Sequence, residues 1–379
     1  MRIPPPLALY IHLPWCVQKC PYCDFNSHAA RVIPEAAYLD ALERDLIAAL
    51  PQVWGREVVS IFMGGGTPSL FSAEGIDRLL TLARTLLRVS PVAEITLEAN
   101  PGTFEADRFK GFRAAGVNRL SLGIQSFDDA ALQRIGRIHD GREALHAAES
   151  ARGIFDNLNL DLIYALPGQG AADLQRDLDR ALSIGPDHLS AYHLTLEPNT
   201  AFGHTPPPNL PDDDAAAAMQ EQVEATLAAA GFLHYETSAY ARPHRQSRHN
   251  LNYWQFGDYL GLGAGAHSKL TLPDGIVRQA RVKHPDAYMQ HAGTPQALSE
   301  TPVARNDLAF EFMMNALRLM DGVDAGLFVE RTGLPLLACA PQLAQARSRG
   351  LLEADTLRLR PTLLGQRFLN DLLSLFLPD

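Results

Sequence analysis

The chain has 379 residues, 46% of them hydrophobic, and a formal net charge of −10 at pH 7. That length supports a large core and points to a barrel-sized domain of roughly 200–250 residues with a smaller companion. The acidic balance argues against nucleic-acid binding, which needs clustered Lys and Arg facing phosphates, and no apolar run approaches the length of a membrane span.

The N-terminal run MRIPPPLALYIHLPWC lacks the basic start and uninterrupted apolar stretch of a signal peptide. A soluble, cytoplasmic protein is expected, with peripheral contact at a membrane left open. Strands are expected over Leu7–His12, Val58–Met63, Ala93–Glu98, Arg119–Gln125, Leu158–Tyr164 and His188–Leu196. They read as nearly continuous apolar runs, the pattern of a parallel sheet buried on both faces. Helical stretches lie between them. Pro34–Leu50 sets Leu39, Leu42, Leu46 and Leu50 along one face, and Ile76–Leu87 and Ala172–Leu182 behave alike. Six such units predict an α/β fold, a partial (βα)6 TIM-like barrel, over residues 1–240.

Thr205–Asp214, rich in Pro and Asp, reads as a loop before a helix over Ala215–Ala230, and Leu233–Ala241 as a further strand. Residues 241–300 read as a loop-rich connecting segment. Residues 301–379 are predicted to be mainly helical from Asn306 onward, with a β-hairpin around Leu352–Leu359, resembling a winged helix. In an acidic chain such a module suits protein contact better than DNA.

Chemistry in such a barrel sits where strands run out into loops. There the chain places three cysteines, then Gly64-Gly65-Gly66-Thr67, then Glu98-Ala99-Asn100, then Gly123-Ile124-Gln125, then Asp161, then Tyr192-His193. A cap or a tight turn explains any one of them, but six in register favour an active-site mouth. Cys16, Cys20 and Cys23 fall within eight positions of one another, while Cys339 is remote, which is unlike a disulfide scaffold. Three thiolates at Cys-x3-Cys-x2-Cys spacing can ligate three irons of a [4Fe-4S] cubane and leave the fourth open. An open iron can chelate the amino and carboxylate groups of S-adenosyl-L-methionine (SAM), whose reductive cleavage is cofactor chemistry. Structural zinc with Cys339 or His12 as fourth ligand is the alternative, although paired knuckles are missing. In His249-Asn250-Leu251-Asn252-Tyr253-Trp254 the His could supply an axial nitrogen to iron and the two aromatics flat faces for a porphyrin. An aromatic loop closing the barrel, with His249 in an ordinary hydrogen-bond network, is the competing reading. Gly261–Ser268 has no surrounding βαβ unit and is not a dinucleotide loop.

The cysteine loop after a first strand resembles that of radical SAM proteins. The wider run LYIHLPWC from Leu9 to Cys16, with PYCDFN from Pro21 to Asn26, is similar to the branch holding oxygen-independent coproporphyrinogen III oxidase and the HemW-type heme chaperones. The similarity runs along nearly the whole chain. It implies Cys16, Cys20 and Cys23 on the cluster, Tyr10 beside SAM and Tyr22 beside the cluster. Gly64, Gly65, Gly66 and Thr67 would receive the methionyl amino and carboxylate groups, and Glu98 would hold a polar group of SAM. Gln125, Arg137 and Asp161 match further SAM-contacting positions, and Gly261–Ser268 would lie near the same site with His267 as another candidate.

Two departures from the oxidase pattern turn the expectation toward the heme chaperones. Phe25 stands where the oxidase has a fourth cysteine, and only nine residues precede Tyr10, so the long N-terminal lid of the oxidase is expected to be missing. The HNxxYW motif, associated with heme in the chaperones, matches His249, Asn250, Tyr253 and Trp254. Arg242, His244, Arg245 and Arg248 could meet heme propionates or form an ordinary solvated face. The resemblance thus implies heme as a bound cofactor and acceptor hemoproteins as partners, membrane-associated respiratory enzymes among them. Homodimerisation is left open, and the alternative is a true coproporphyrinogen oxidase.

Overall fold

The computed structural model describes residues 4–103 and 106–378. Six strands pair in parallel and in sequence order: β1 (Leu7–Leu13), β2 (Glu57–Gly65), β3 (Arg88–Ala99), β4 (Arg119–Gln125), β5 (Leu158–Tyr164) and β6 (His188–His193). The crossovers carry α1 (Glu35–Val53), α2 (Ala73–Leu86), α3 (Ala106–Ala115), α4 (Asp129–Arg134), α5 (Gly141–Ile154) and α6 (Ala171–Ile184), and α7 (Asp213–Ala229) follows β6. This is the mixed α/β barrel that the alternating pattern predicts. The strand β3 begins at Arg88 rather than Ala93. Pro91 hides its first half, and a register shift between Val58 and Ser60 on β2 accommodates the longer strand.

The strands are not apolar on both faces. Leu9, Ile11, Ile61, Leu97, Leu120, Leu122, Leu158 and Leu160 face the helices in the main core. Alternate positions bring Phe62, Glu98, Arg119, Ser121, Asn159, Asp161 and Ser190 to a cavity inside the barrel. The expected continuous runs are therefore corrected to a period-2 alternation, because the barrel interior is a polar chamber and not a second packed layer.

The sheet then extends past both edges of the barrel to twelve strands. Beyond β6 lie β7 (Leu233–Glu236) and β8 (Ala239–Ala241), an antiparallel hairpin where one strand was predicted. On the other edge, β9 (Asp258–Leu262) runs parallel to β1, followed by antiparallel β10 (His267–Leu272), β11 (Gly275–Arg281) and β12 (Leu298–Pro302). Residues 241–300 are thus not loop-rich: they hold α8 (Arg248–Trp254) and four sheet strands. Their polar composition conceals this, because buried pairs satisfy it. Arg281 meets Asp45 of α1 at 3.2 Å, and Lys269 meets Asp258 at 3.0 Å.

The C-terminal part gathers short helices, among them Leu308–Ala316, Ala325–Thr332 and Ala340–Ser348, around a second core with Phe312, Phe328, Leu343 and Leu372. The predicted hairpin reduces to a single bridge between Leu352 and Pro361, while Arg358–Leu359 pair with Val323–Asp324. Cys339 is buried in this core with its Sγ directed at the Leu336 carbonyl, and burial pushes its thiol up to about 11. It is no ligand of the cysteine loop.

Candidate functional site

The cysteine loop leaves the end of β1 and is fastened on three sides. Trp15–Cys16 pair in parallel with His28–Ala29, which closes its base. His12 bonds the Asn26 carbonyl through Nε2 at 2.8 Å and the Tyr10 hydroxyl through Nδ1 at 2.9 Å, so neither ring nitrogen is left for a metal. The Asn26 amide donates to the carbonyls of Ala264 and Lys283, tying the loop to the turn after β9 and to the segment after β11. The three glycines at the end of β2 are set by the chain's own packing. A Cβ on Gly65, whose φ is +111°, would lie 2.3 Å from the His12 ring, one on Gly66 2.5 Å from the Trp15 carbonyl, and one on Gly64 2.9 Å from Glu98. The loop and the glycine turn are one interlocked unit.

Each cysteine sulfur has a polar neighbour. The Thr67 hydroxyl donates toward Cys16 Sγ at 3.5 Å, the Arg137 guanidinium toward Cys20 Sγ at 3.7 Å, and Ser27 Oγ lies 4.0 Å from Cys23 Sγ. Burial pushes the Cys16 and Cys23 thiols up, with Thr67 and Ser27 opposing it. Metal ligation requires expelling those protons. Donors aimed at sulfur suit thiolates on an iron–sulfur cluster. Among the described residues no three His, Cys, Asp or Glu side chains converge on a single-ion site; ligands to separate irons of a cubane need no such convergence.

The cysteines open into a cavity of about 400 Å³. Of the sequence candidates, Cys16, Cys20, Tyr22, Cys23, Gly65, Gly66, Thr67, Glu98, Gln125, Arg137 and Asp161 line it together. Tyr10 and Gly64 stand just behind: Tyr10 on the Phe62 ring at 6.3 Å, and Gly64 against Glu98. His267 is outside it. Arg137 also donates to the Gly123 carbonyl at 2.8 Å and to Asn100, which holds it across the mouth. Gln125 adopts a left-handed φ of 67° at the end of β4, the local strain found at binding sites.

Two carboxyls face this space. Glu98 accepts the Gly65 N–H at 3.2 Å, and burial, then the Asp161 charge, push its pKa up to about 8. Asp161 accepts from Ser121 at 3.0 Å and Asn159 at 2.8 Å; burial raises it too, and these bonds oppose the rise. A cationic ligand group entering here would draw both toward the ionised form. The sequence reading missed Arg119, Ser121, Asn159 and Ser190, which also line the cavity. Polar residues at every second position of β4, β5 and β6 were the available signal.

The HNxxYW segment lies beneath the cavity. Ser247 caps α8 by accepting from Asn250 N at 3.3 Å, and Glu94 of β3 accepts from Ser247 Oγ, Arg248 N and His249 N at 3.3, 2.9 and 3.3 Å. The His249 ring packs on Phe62 at 4.9 Å and on Tyr10 at 6.3 Å, with Nδ1 3.4 Å from Ser60 Oγ. Burial holds its pKa down to about 3, so the imidazole is neutral. Asn250 reaches the cavity. Tyr253 instead stacks on Tyr259 of β9 at 4.8 Å, and Trp254 packs against the C-terminal core under the Arg318 guanidinium. In this arrangement the three share no open face for a porphyrin. The basic residues beside them are engaged separately: Arg242 over Phe232, Arg245 with Asp187 at 3.5 Å, and Arg248 on the Val92 carbonyl.

Comparison with known proteins identifies the family. The Radical SAM superfamily model matches residues 10–181 and the HemN C-terminal domain model residues 303–368. The chain is 49% identical to the heme chaperone HemW of Escherichia coli (strain K12) over 99% of both chains. It is 34% identical to the heme chaperone HemW of Bacillus subtilis (strain 168) over 98% of this chain and 99% of that one. The structure of coproporphyrinogen III oxidase (HemN) from Escherichia coli superposes with a TM-score of 0.83 at 26% identity, over 98% of this chain and 90% of that chain. Membership of the radical SAM superfamily implies a [4Fe-4S] cluster and SAM, and the donor-lined cysteines above a polar cavity fit both. The chain belongs to the heme chaperone HemW family of radical SAM proteins.

Proposed function

We propose that this protein binds heme and passes it to acceptor hemoproteins, membrane-associated respiratory enzymes among them, working from a radical SAM core. The observation that carries the reading is full-length similarity to heme chaperones at 49% identity. At the mouth, Phe25 is 60% exposed where the related oxidase has a further cysteine. In this reading residues 1–240 form the core, 241–300 connect, and 301–379 are the C-terminal domain. Cys16, Cys20 and Cys23 hold the cluster, with Thr67 and Arg137 donating toward its sulfur ligands. Gly64, Gly65, Gly66 and Thr67 receive the methionyl amino and carboxylate groups of SAM, and Glu98 holds a polar group of SAM. Tyr22 lies beside the cluster and Tyr10 beside SAM, and Gln125, Arg137 and Asp161 complete the SAM contacts. When bound, cluster and SAM supply the capacity for radical formation.

His249, Tyr253 and Trp254 are the proposed heme residues. A neutral imidazole is the ligating form, and Glu94 keeps it turned into the barrel. Use of His249 as an axial ligand therefore requires α8 to swing outward. The test is anaerobic reconstitution followed by heme titration, monitored by absorbance. One heme per chain is expected, with weaker binding in His249→Ala, and coproporphyrinogen III should be unchanged after incubation with SAM and reductant. The second reading, an oxidase, is favoured by the TM-score of 0.83 to that enzyme; formation of protoporphyrinogen in the same assay would establish it and overturn the first.

A further inference from the structure

The floor of the barrel cavity holds a cation that no described residue pairs. Arg119 points inward from β4, is 2% exposed and lines the cavity. Its guanidinium makes no hydrogen bond or ion pair with any described residue, and its Nε is buried without a partner. Thr96, its neighbour in the β3–β4 register, is fully buried and its hydroxyl is equally unpartnered. Glu98 and Asp161 are near enough for Arg119 to lower their proton affinity. Neither reaches it, since Glu98 is bound to Gly65 and Asp161 to Ser121 and Asn159.

A buried, unpaired guanidinium is strongly disfavoured unless something completes it. Its planar fork matches a carboxylate, which it binds through two parallel N–H bonds. With Glu98 largely protonated near neutral pH, the chamber repels an incoming carboxylate less than two ionised acids would. Asn250 of the HNxxYW helix lines the same floor and offers a further amide. We propose that Arg119 anchors an inner carboxylate-binding site at the barrel floor, below the cysteine mouth. The carboxylate could belong to a propionate arm of a tetrapyrrole or to a free small acid. The first source rests on the heme-carrying reading; the second does not.

The test uses the full-length, cluster-reconstituted protein. Heme, heme dimethyl ester and sodium propionate are titrated separately by calorimetry into wild type, Arg119→Met and Arg119→Lys. Loss of a charge-assisted pair is expected to weaken binding by about tenfold to a hundredfold. If a tetrapyrrole arm occupies the site, heme binds that much more tightly than its diester, and Arg119→Met removes the difference. If a free acid does, heme and diester are equivalent, or neither binds, while propionate binding depends on Arg119. Absence of heme binding alongside Arg119-dependent propionate binding would defeat the heme-carrying reading but not this one. Thermal unfolding supplies the other arm. A ligand-binding Arg119 predicts an unchanged or raised Tm in Arg119→Met, whereas a structural counter-charge for Glu98 and Asp161 predicts a clear fall. A clear fall, or carboxylate binding that is indifferent to Arg119 with every probe, overturns the proposal.

Discussion

Thr67 and Arg137 each aim a donor at a cysteine sulfur, and hydrogen bonds to ligating sulfurs are among the levers that set a cluster's reduction potential. Replacing Thr67 with Val keeps the shape and removes the bond to Cys16. The cluster should still assemble, with a more negative midpoint in a spectroscopically monitored redox titration, whereas serine at Cys16, Cys20 or Cys23 should reduce bound iron and sulfide to background. Glu98 carries the pH prediction. Its carboxyl rises from an ordinary 4.5 to about 8 on folding, so the folded chain binds more protons across that interval. The associated stability is complete below pH 4.5 and lost as pH rises through about 8, at about 1.4 kcal/mol per unit displaced. The Tm difference between wild type and Glu98→Gln, measured on the cluster-free protein, should therefore shift against wild type as pH rises. A flat difference would mean that Glu98 titrates normally.

The helix α8 has seven residues, too short to be stable by propensity alone, so its position depends on contacts. Glu94 supplies three of them from inside the barrel, and in Glu94→Ala the N–H groups of Arg248 and His249 would lose their acceptor in a buried setting. The expected cost is about 2 kcal/mol in urea unfolding. If His249 must turn outward to meet heme, the same substitution should also tighten heme binding, because a constraint on the closed position has gone. The far end of α8 is bound differently. Trp254 packs on the C-terminal core beneath Arg318, and Tyr253 joins a chain through Tyr259 and Arg278 to Glu311.

At the scale of the molecule, α8 is one of the places where barrel and C-terminal region meet. Trp254→Ala removes apolar area from that junction and should destabilise the protein by about 3 kcal/mol. Its effect should appear as separation of the two unfolding transitions in calorimetry, since the contact couples two cores. No helix among the described residues is long and apolar enough to cross a membrane.

Much was legible without the fold. The parallel strands could be read from apolar runs bounded by helical stretches, because burial against helices leaves large aliphatic residues on the outward positions. The cysteine loop and the glycine turn were legible from spacing, because ligand geometry and a positive φ each restrict the residues allowed. The strands after Asp258 were not, since Lys269, Gln279 and Arg281 look like loop residues until their buried partners are known. Nor could spacing divide HNxxYW, whose i and i+4 residues share a helix face while Trp254 turns to another core. The sequence by itself determined which residues can hold a cluster, since thiolate chemistry is local. Only the tertiary structure decided that His249 lies under the cavity and that Arg119 stands within it without a partner among the described residues, because burial and pairing depend on residues distant in the chain.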